Sequence, residues 1–543
     1  MTTTGSEPAG GEITEPLRSR RNHWNNRVRR HARMIPGSTA LSFAGVETSW
    51  RDLDRRTTAL AAALHRRGIR FGDRVLILML NRSEYVEVVL AANLIGVIAV
   101  PVNFRMSPAE VGFLADDCGA CAIVTETALA TTSAAVRASS DTVLHVVEVG
   151  TDAAATPVGA DHLAYTNLLA EDPSDLPVID IPEDTVALLM YTSGTTGRPK
   201  GAMLSHGNLL SQTVTGMRAM NTRSTDRSSC VAPMFHIAGI VGVAPAIYVG
   251  SVSVIHPLGA FSPDDLLDTL ERERSTSVFL VPAQWQAVCA AQRDRPRSVS
   301  LRVASWGAAP ASDTVLRAMA EAFPEAMIVA LFGQTEMSPV TCLLEGADAL
   351  RKIGSVGRVV ESVEARVVDD AMNDVAPGGI GEIVYRGPGM MAGYWQNPQG
   401  TAEAFAGGWF HSGDLVRVDD EGFVYVVDRK KDMIISGGEN IFCAEVENEI
   451  FAHPAVADVA VIGRAHEKWG EVPVAVVVLR PDAVAPDAAD LSGFLNDRLA
   501  RFKHPADVVV VDVLPRNAGG KVVKPVLRTA HGSRDAGLHR DTD

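Results

Sequence analysis

Hydrophobic positions along the chain follow two rhythms. Residues 75–80 form an unbroken apolar run of strand length, residues 83–94 space their apolar side chains as a helix does, and residues 97–102 are strand-like again. Ser107-Pro108-Ala109-Glu110 has the side chains of a capping box with proline at the first helical position, and Ser262-Pro263-Asp264-Asp265 reads as a second such start. Strand, helix and strand in repetition predict parallel sheets covered by helices through the first 430 residues. Residues 128–182, rich in Ala, Thr and Asp, read as a polar, peripheral, loop-like region. Beyond Asp428-Arg429-Lys430-Lys431-Asp432 the texture changes. Short strands (456–462, 472–479, 508–511) alternate there with helices (444–452, 491–501), enough for one small α+β domain. The expected fold is α/β: a large N-terminal domain, 1–430, of parallel-rich sheets covered by helices, and a small C-terminal α+β domain, 431–543.

Composition narrows the function. A chain of 543 residues, 46% hydrophobic and 21% charged, is an ordinary globular protein and not a disordered, collagen-like or disulfide-scaffold one. Acids outnumber bases 65 to 50, which argues against nucleic acid as a partner. Six cysteines make no disulfide framework. Cys118-Gly119-Ala120-Cys121 has redox-pair spacing but lies between a helix end at Asp116-Asp117 and a strand, so it reads as two half-buried thiols. A polar N-terminus without an apolar h-region predicts no secretory signal, and a cytoplasmic location is expected.

Two stretches bear on membranes. Seven arginines between Leu17 and Met34 read as a solvated helix face or arm. The alternative is a peripheral dock on anionic lipid at the inner membrane face, at ~1 kcal/mol per basic residue. Residues 231–261 hold no Asp, Glu, Lys or Arg, yet include His236, His256, three prolines and four glycines. They read as a buried pocket wall, and no transmembrane helix is expected.

Chemistry concentrates in Tyr191-Thr192-Ser193-Gly194-Thr195-Thr196-Gly197-Arg198-Pro199-Lys200-Gly201, which follows an apolar strand. Glycines let backbone N–H groups turn towards an anion, hydroxyls add donors and the lysine adds charge, as a polyphosphate cradle needs. It is not a Walker A loop, because Gly201 follows Lys200. Lysine is scarce, 8 against 42 arginines, with six of the eight after residue 429 and none before Lys200. A lysine in such a chain marks a place for a compact point charge.

Further motifs follow in order: Pro233-Met234-Phe235-His236, Trp306-Gly307-Ala308-Ala309-Pro310, Phe332-Gly333-Gln334-Thr335-Glu336, Gly408-Trp409-Phe410-His411-Ser412-Gly413-Asp414, Asp428–Asp432, Ser436-Gly437-Gly438-Glu439-Asn440 and Pro515-Arg516-Asn517-Ala518-Gly519-Gly520-Lys521. Together they resemble the adenylate-forming superfamily, and in texture its bacterial fatty-acid–CoA ligases. The resemblance implies ATP, Mg²⁺ and coenzyme A as cofactors and co-substrates. It implies Glu336 as the magnesium carboxylate with Thr192 as partner, and Thr192, Ser193, Gly194, Thr195, Thr196, Gly197 and Lys200 around the phosphates. Phe332 would stack on adenine beside Gly333 and Thr335, and the small Gly307, Ala308 and Ala309 would let the nucleotide lie close to the chain. Asp414 and Arg429 would serve the ribose. Lys521 would bridge carboxylate and nucleotide, with Lys524 a bystander, and Lys431 would be the hinge. Gly437 and Gly438 would let pantetheine pass, near the Lys468-Trp469-Gly470-Glu471 surface.

His236 stands where amino-acid-activating relatives carry Asp, so no amine is invited, and no carrier domain is expected after Lys521. The uncharged 231–261 stretch suggests an apolar tunnel for a medium- to long-chain fatty acid. Ile240 replaces the gating Trp of some long-chain members. The expected activity is fatty acid plus ATP to acyl-AMP and pyrophosphate, then transfer to CoA. The alternatives are an acyl-AMP ligase that loads a carrier protein and a CoA ligase for aromatic or sterol-derived acids. A homo-oligomer is compatible with the sequence.

Overall fold

The computed structural model describes residues 20–150, 162–192, 199–437, 439–516 and 522–532. The chain forms two compact units, Met1–Ala365 with Tyr385–Phe410, and Arg366–Val384 with His411–Asp543.

The first unit holds two large sheets. In one, Val186–Thr192, Ile98–Pro101, Arg74–Leu78, Ala122–Glu126, His145–Val149 and His162–Ala164 run parallel, and Lys200–Ser205 and Gly393–Tyr394 close one edge antiparallel. In the other, Thr39–Phe43, Val252–Ile255, Arg227–Cys230, Ser277–Leu280, Val303–Gly307 and Met327–Gly333 run parallel, with antiparallel strands at both ends. In the first sheet the middle strands are apolar on both faces, as parallel strands under helices must be, whereas Arg227–Cys230 in the middle of the second is polar. Leu76, Ile77, Ala122 and Ile123 are fully buried.

Several expected elements are found where the pattern put them. The helix Ser83–Leu94 is buried all round, and its Glu87 is held by a two-pronged contact with Arg56 at 2.7 and 2.9 Å. Ser107 and Glu110 form the capping box, and Ser262 caps Pro263–Arg272.

Residues 128–182 are a correction. They carry the helix Ala130–Ser139, the last two strands of the first sheet and the helix Tyr165–Leu169, which bury Val136, Val146, Val147, Tyr165 and Leu168. Each element is short, so periodicity has too few positions on which to show itself. The basic segment is also partly tied down. Arg21 reaches Asp180 at 2.8 Å and Glu183 at 3.0 Å, and Arg27 lies 4.2 Å from the Tyr248 ring centre. No described helix is long and apolar enough to cross a membrane.

The second unit holds a four-stranded sheet, Glu364–Val368, Ile380–Arg386, Phe410–Val418 and Val424–Arg429. It also holds a sheet built on the long hairpin Val456–His466 and Gly470–Leu479, with Asp507–Val510 parallel to the latter. The boundary expected between residues 430 and 431 therefore falls inside this unit, because the four-stranded sheet draws its second strand from residues 380–386. The hydrophobic clusters of the second sheet hold no residue before Ile434.

Candidate active site

Val186–Thr192 and Lys200–Ser205 are antiparallel neighbours, and Thr192 pairs in register with Lys200. The two residues are the feet of the phosphate-type loop, while Ser193, Gly194, Thr195, Thr196 and Gly197 lie outside the described residues. The Tyr191 hydroxyl donates to Asp117, which anchors the first foot on the end of the helix Pro108–Cys118. Burial pushes the Cys118 thiol up to about 12 and the Cys121 thiol to about 11, so both are inert at neutral pH.

Glu336 sits on the turn Thr335–Met337, directly after the strand Met327–Gly333. Thr192 Oγ1 donates to Glu336 Oε1 at 3.2 Å, and Tyr394 Oη donates to the same oxygen at 3.0 Å. Lys200 Nζ lies 5.2 Å from the centre of the Tyr394 ring. Burial and the Glu336 charge raise the Tyr394 phenol, which stays protonated and acts as donor. Among the described residues no donor reaches Glu336 Oε2, and no cluster of three or more His, Cys, Asp or Glu could hold a metal unaided. A hard cation that keeps phosphate and water ligands asks a protein for only one or two carboxylates. A magnesium ion carried by a nucleotide fits this donor set. Sequence reasoning paired Thr192 with Glu336 but missed Tyr394. The signal was the Gly393-Tyr394-Trp395 triplet in a chain with only seven tyrosines and seven tryptophans.

The strands Val303–Gly307 and Met327–Gly333 lie side by side. A Cβ on Gly307 would sit 2.3 Å from the Leu331 carbonyl oxygen, so the neighbouring strand itself demands glycine there. Ala308 and Ala309, expected with Gly307 to give the nucleotide clearance, are exposed, Ala308 at φ +66°. Phe332 and Thr335 are half-buried and Gly333 is exposed. His236 is exposed, its ring 4.3 Å from that of Phe235, which in turn meets Phe104 edge-on at 5.6 Å. Trp306 is buried, and its Nε1 has no acceptor among the described residues.

The stretch 231–261 is mostly interior: Val231, Met234, Phe235, Ile240, Val243 and Ile247 are buried. A cavity of about 270 Å³ at its end has a mixed lining, polar at Ser42, His256, Asp265, Arg272 and Glu273 and apolar at Val254, Ile255, Pro257 and Leu258.

In the second unit Asp414 is 3% exposed and pairs across the sheet with Arg429, whose Nε lies 2.8 Å from its Oδ1. The two residues expected at the ribose are thus together. Lys430 reaches Glu382 at 3.0 Å and Asp370 at 2.8 Å, and His411 also meets Glu382 at 3.0 Å. Burial raises the Glu382 carboxyl, but His411, Lys430 and the Gly413 N–H outweigh it and hold the group below its usual value. Two residues on, Asp432 pairs with Arg528 at 3.0 Å. Lys431 between them is exposed in a turn. Lys524 is a structural cation, 2.7 Å from Glu447. Gly437 has φ +60°, and a Cβ there would meet the Trp469 ring at 2.8 Å, so the indole occupies the clearance expected for pantetheine. Gly438 and Lys521 lie outside the described residues.

Two family models match the chain, the AMP-binding enzyme over residues 28–395 and the AMP-binding enzyme C-terminal domain over 445–521. The chain belongs to the AMP-binding enzyme family. This AMP-binding enzyme is 40% identical to a feruloyl-CoA synthase of Amycolatopsis over 93% of its own length and 98% of that protein's. It is 37% identical to the indoleacetate–CoA ligase of Aromatoleum aromaticum, covering 92% and 96% of the two chains. Identity to a long-chain-fatty-acid–CoA ligase of Mycobacterium tuberculosis is 34%, over 90% and 94%. Among solved structures, o-succinylbenzoate coenzyme A synthetase of Bacillus subtilis in complex with ATP and magnesium ion matches with a TM-score of 0.81 at 30% identity, covering 93% and 99%. The family read from the motifs stands; its fatty-acid branch is not singled out.

Proposed function

We propose that this AMP-forming acid–thiol ligase activates a carboxylic acid that carries a planar aromatic ring. The enzyme uses ATP, Mg²⁺ and CoA. An oxygen of the acid attacks the α-phosphorus of ATP, the bond to pyrophosphate breaks, and the acyl-AMP forms. The CoA thiol, having lost its proton, then attacks the acyl carbonyl, and AMP leaves. The observation that carries the aromatic reading is the order of likeness, 40% and 37% to the feruloyl and indoleacetate enzymes against 34% to the fatty-acid enzyme. The Phe104, Phe235 and exposed His236 rings supply an aromatic surface that suits a flat ring better than a flexible chain.

In this reading Thr192 and Glu336 hold the magnesium ion, which offsets phosphate charge as the two anions meet. Lys200 serves the phosphates, Phe332 the adenine, and Asp414 with Arg429 the ribose. Lys521 serves the adenylation step. Lys431 is the pivot, an exposed residue between Lys430, which pairs with Glu382, and Asp432, which pairs with Arg528. Mass spectrometry after incubation with ATP, Mg²⁺, CoA and a panel of acids tests the substrate class. A hydroxycinnamate or arylacetate should form thioester at least ~10-fold faster than hexanoate, dodecanoate or palmitate, a ~1.4 kcal/mol preference. Preference for a straight chain restores the fatty-acid reading, and acyl-AMP without thioester favours a carrier-protein acceptor.

A further inference from the structure

Gly393–Tyr394 is a two-residue edge strand antiparallel to Lys200–Ser205, with Gly393 opposite Met203 and Tyr394 opposite Ala202. Backbone hydrogen bonds extend the seam: Trp395 N donates to Gly201 O at 2.7 Å, Ala392 N to Met203 O at 2.9 Å, and Met391 N to Glu336 O at 2.8 Å. One short strap therefore joins the strand that begins with Lys200 to the turn that carries Glu336. Its side chains alternate, as strand residues do. Trp395 Nε1 donates to Asp117 O at 3.2 Å, beside the helix end that also anchors Tyr191. Tyr394 Oη donates to Glu336 Oε1, and Tyr394 N donates to Thr401 Oγ1 at 2.9 Å, which fixes the strap's backbone.

We propose that Tyr394 is a positioning residue for adenylation, acting through both Glu336 and Lys200. The proposal rests on the reading of Glu336 as a magnesium ligand. A carboxylate turns about a broad terminal torsion, so a single donor leaves its two oxygens poorly distinguished. Thr192 and Tyr394 both donate to Oε1, which leaves Oε2 as the oxygen presented to a cation. The ring does a second job. A lysine held over an aromatic face keeps its full charge, whereas a carboxylate partner would neutralise it. Among the described residues Lys200 has no ion-pair partner, so the ring stations the ammonium at the loop's foot with its charge available to a phosphate.

The test is ATP binding by calorimetry, with and without Mg²⁺, on Tyr394→Phe, Tyr394→Leu, Glu336→Gln and the Tyr394→Phe/Glu336→Gln double variant. Tyr394→Phe keeps the ring and loses the hydroxyl. Its affinity without Mg²⁺ should stay within about twofold of the parent, while the gain on adding Mg²⁺ falls about fivefold, the scale of one lost hydrogen bond. Tyr394→Leu should also lose about fivefold without Mg²⁺, because the platform for Lys200 is gone. In the Glu336→Gln background, Tyr394→Phe should change the Mg²⁺-dependent gain by less than about twofold, the non-additivity of residues that act as one unit. The proposal is overturned if Glu336→Gln lowers the gain and Tyr394→Phe does not, a result that leaves the metal reading standing. It is equally overturned if Tyr394→Phe lowers the gain as much in the Glu336→Gln background as in the parent. If Glu336→Gln leaves the gain unchanged, the metal reading fails and this role of Tyr394 with it.

Discussion

The loop region of the first unit and the 382–432 region of the second handle charge in opposite ways. Around the loop, Glu336 meets only hydroxyls and Lys200 only an aromatic face; among the described residues neither has an ionic partner. Among the described residues of the second unit most such charges are matched, Asp414 with Arg429, Glu382 with Lys430 and His411, Asp432 with Arg528, Glu447 with Lys524, while the buried Asp428 accepts only the Arg429 and Cys443 N–H groups. Unmatched charge costs folding energy unless something else arrives to balance it. The first pattern suits a site whose ligand brings phosphate and metal. The second suits a scaffold that must survive without a ligand. Asp414 belongs to the matched set, so its service to the ribose would add hydrogen bonds and no net charge.

Substitutions should therefore separate the regions, with loss of stability on one side and loss of chemistry on the other. The largest effect is expected at Lys524, whose side chain is 12% exposed. Lys524→Met leaves the Glu447 carboxylate partly buried and unpaired, at a cost of about 3 kcal/mol. A thermal melt should show a transition lowered by several degrees, with Mg²⁺ response unchanged. A melt within a degree of the parent would mean that the matched charges contribute little. Next comes Glu336→Gln. Pyrophosphate release should fall by at least ~100-fold, ~2.7 kcal/mol of barrier, with the melting temperature essentially kept. A large loss of stability here would break the contrast, because it would make Glu336 a scaffold residue.

How much of this was readable beforehand varies with the distance over which each feature is decided. The motif residues were legible because their chemistry is local: the loop's glycines and hydroxyls, the Phe332–Glu336 run, Asp414 beside Gly413. The helix Ser83–Leu94 and the Ser107 cap were legible for the same reason. Tyr394 was not, since its partner lies 58 residues away and only the folded sheet edge brings them together. Gly307 was assigned to ligand clearance when a neighbouring strand's carbonyl requires it, a contact fixed by sheet register. The domain limit was drawn at a charged segment, yet the four-stranded sheet recruits Ile380–Arg386 from upstream. In residues 128–182 the elements are too short for periodicity to rise above composition.

A third substitution sharpens the contrast at the pivot, where matched charges grip both neighbours of one exposed lysine. Lys431→Pro fixes φ near −65° and should limit the turn. Acyl-AMP formation should survive, while thioester formation from supplied acyl-AMP falls at least ~10-fold, ~1.4 kcal/mol. Normal transfer to CoA would place the hinge elsewhere. Loss of both half-reactions would show that the turn is needed for adenylation too.

The smallest effect should come from a buried base of the first unit that, among the described residues, is paired with no acid. His206 opens the helix His206–Ala219, directly after the strand that begins with Lys200. It is 4% exposed, its ring stacks on that of His23 at 4.1 Å, and its Nε2 has no hydrogen-bond partner among the described residues. Burial, and then the neighbouring His23, lower its pKa well below the usual histidine value, and a helix N-terminus likewise disfavours a cation. The sign follows from proton counts. Below pH ~6.5 the unfolded chain binds a proton at this residue and the folded one does not, so its contribution to stability is complete above that pH and is lost on acidification. The loss from this one group should reach up to about 1 kcal/mol at pH 6 and vanish near pH 7.5. His206→Phe keeps a flat ring for stacking and removes the titration. The melting difference between parent and variant should then narrow or reverse in the variant's favour as pH falls from 7.5 to 6. A difference that stays constant across that range would mean that His206 takes up its proton in the folded state, and that the first unit tolerates an unmatched buried cation as well as an unmatched carboxylate.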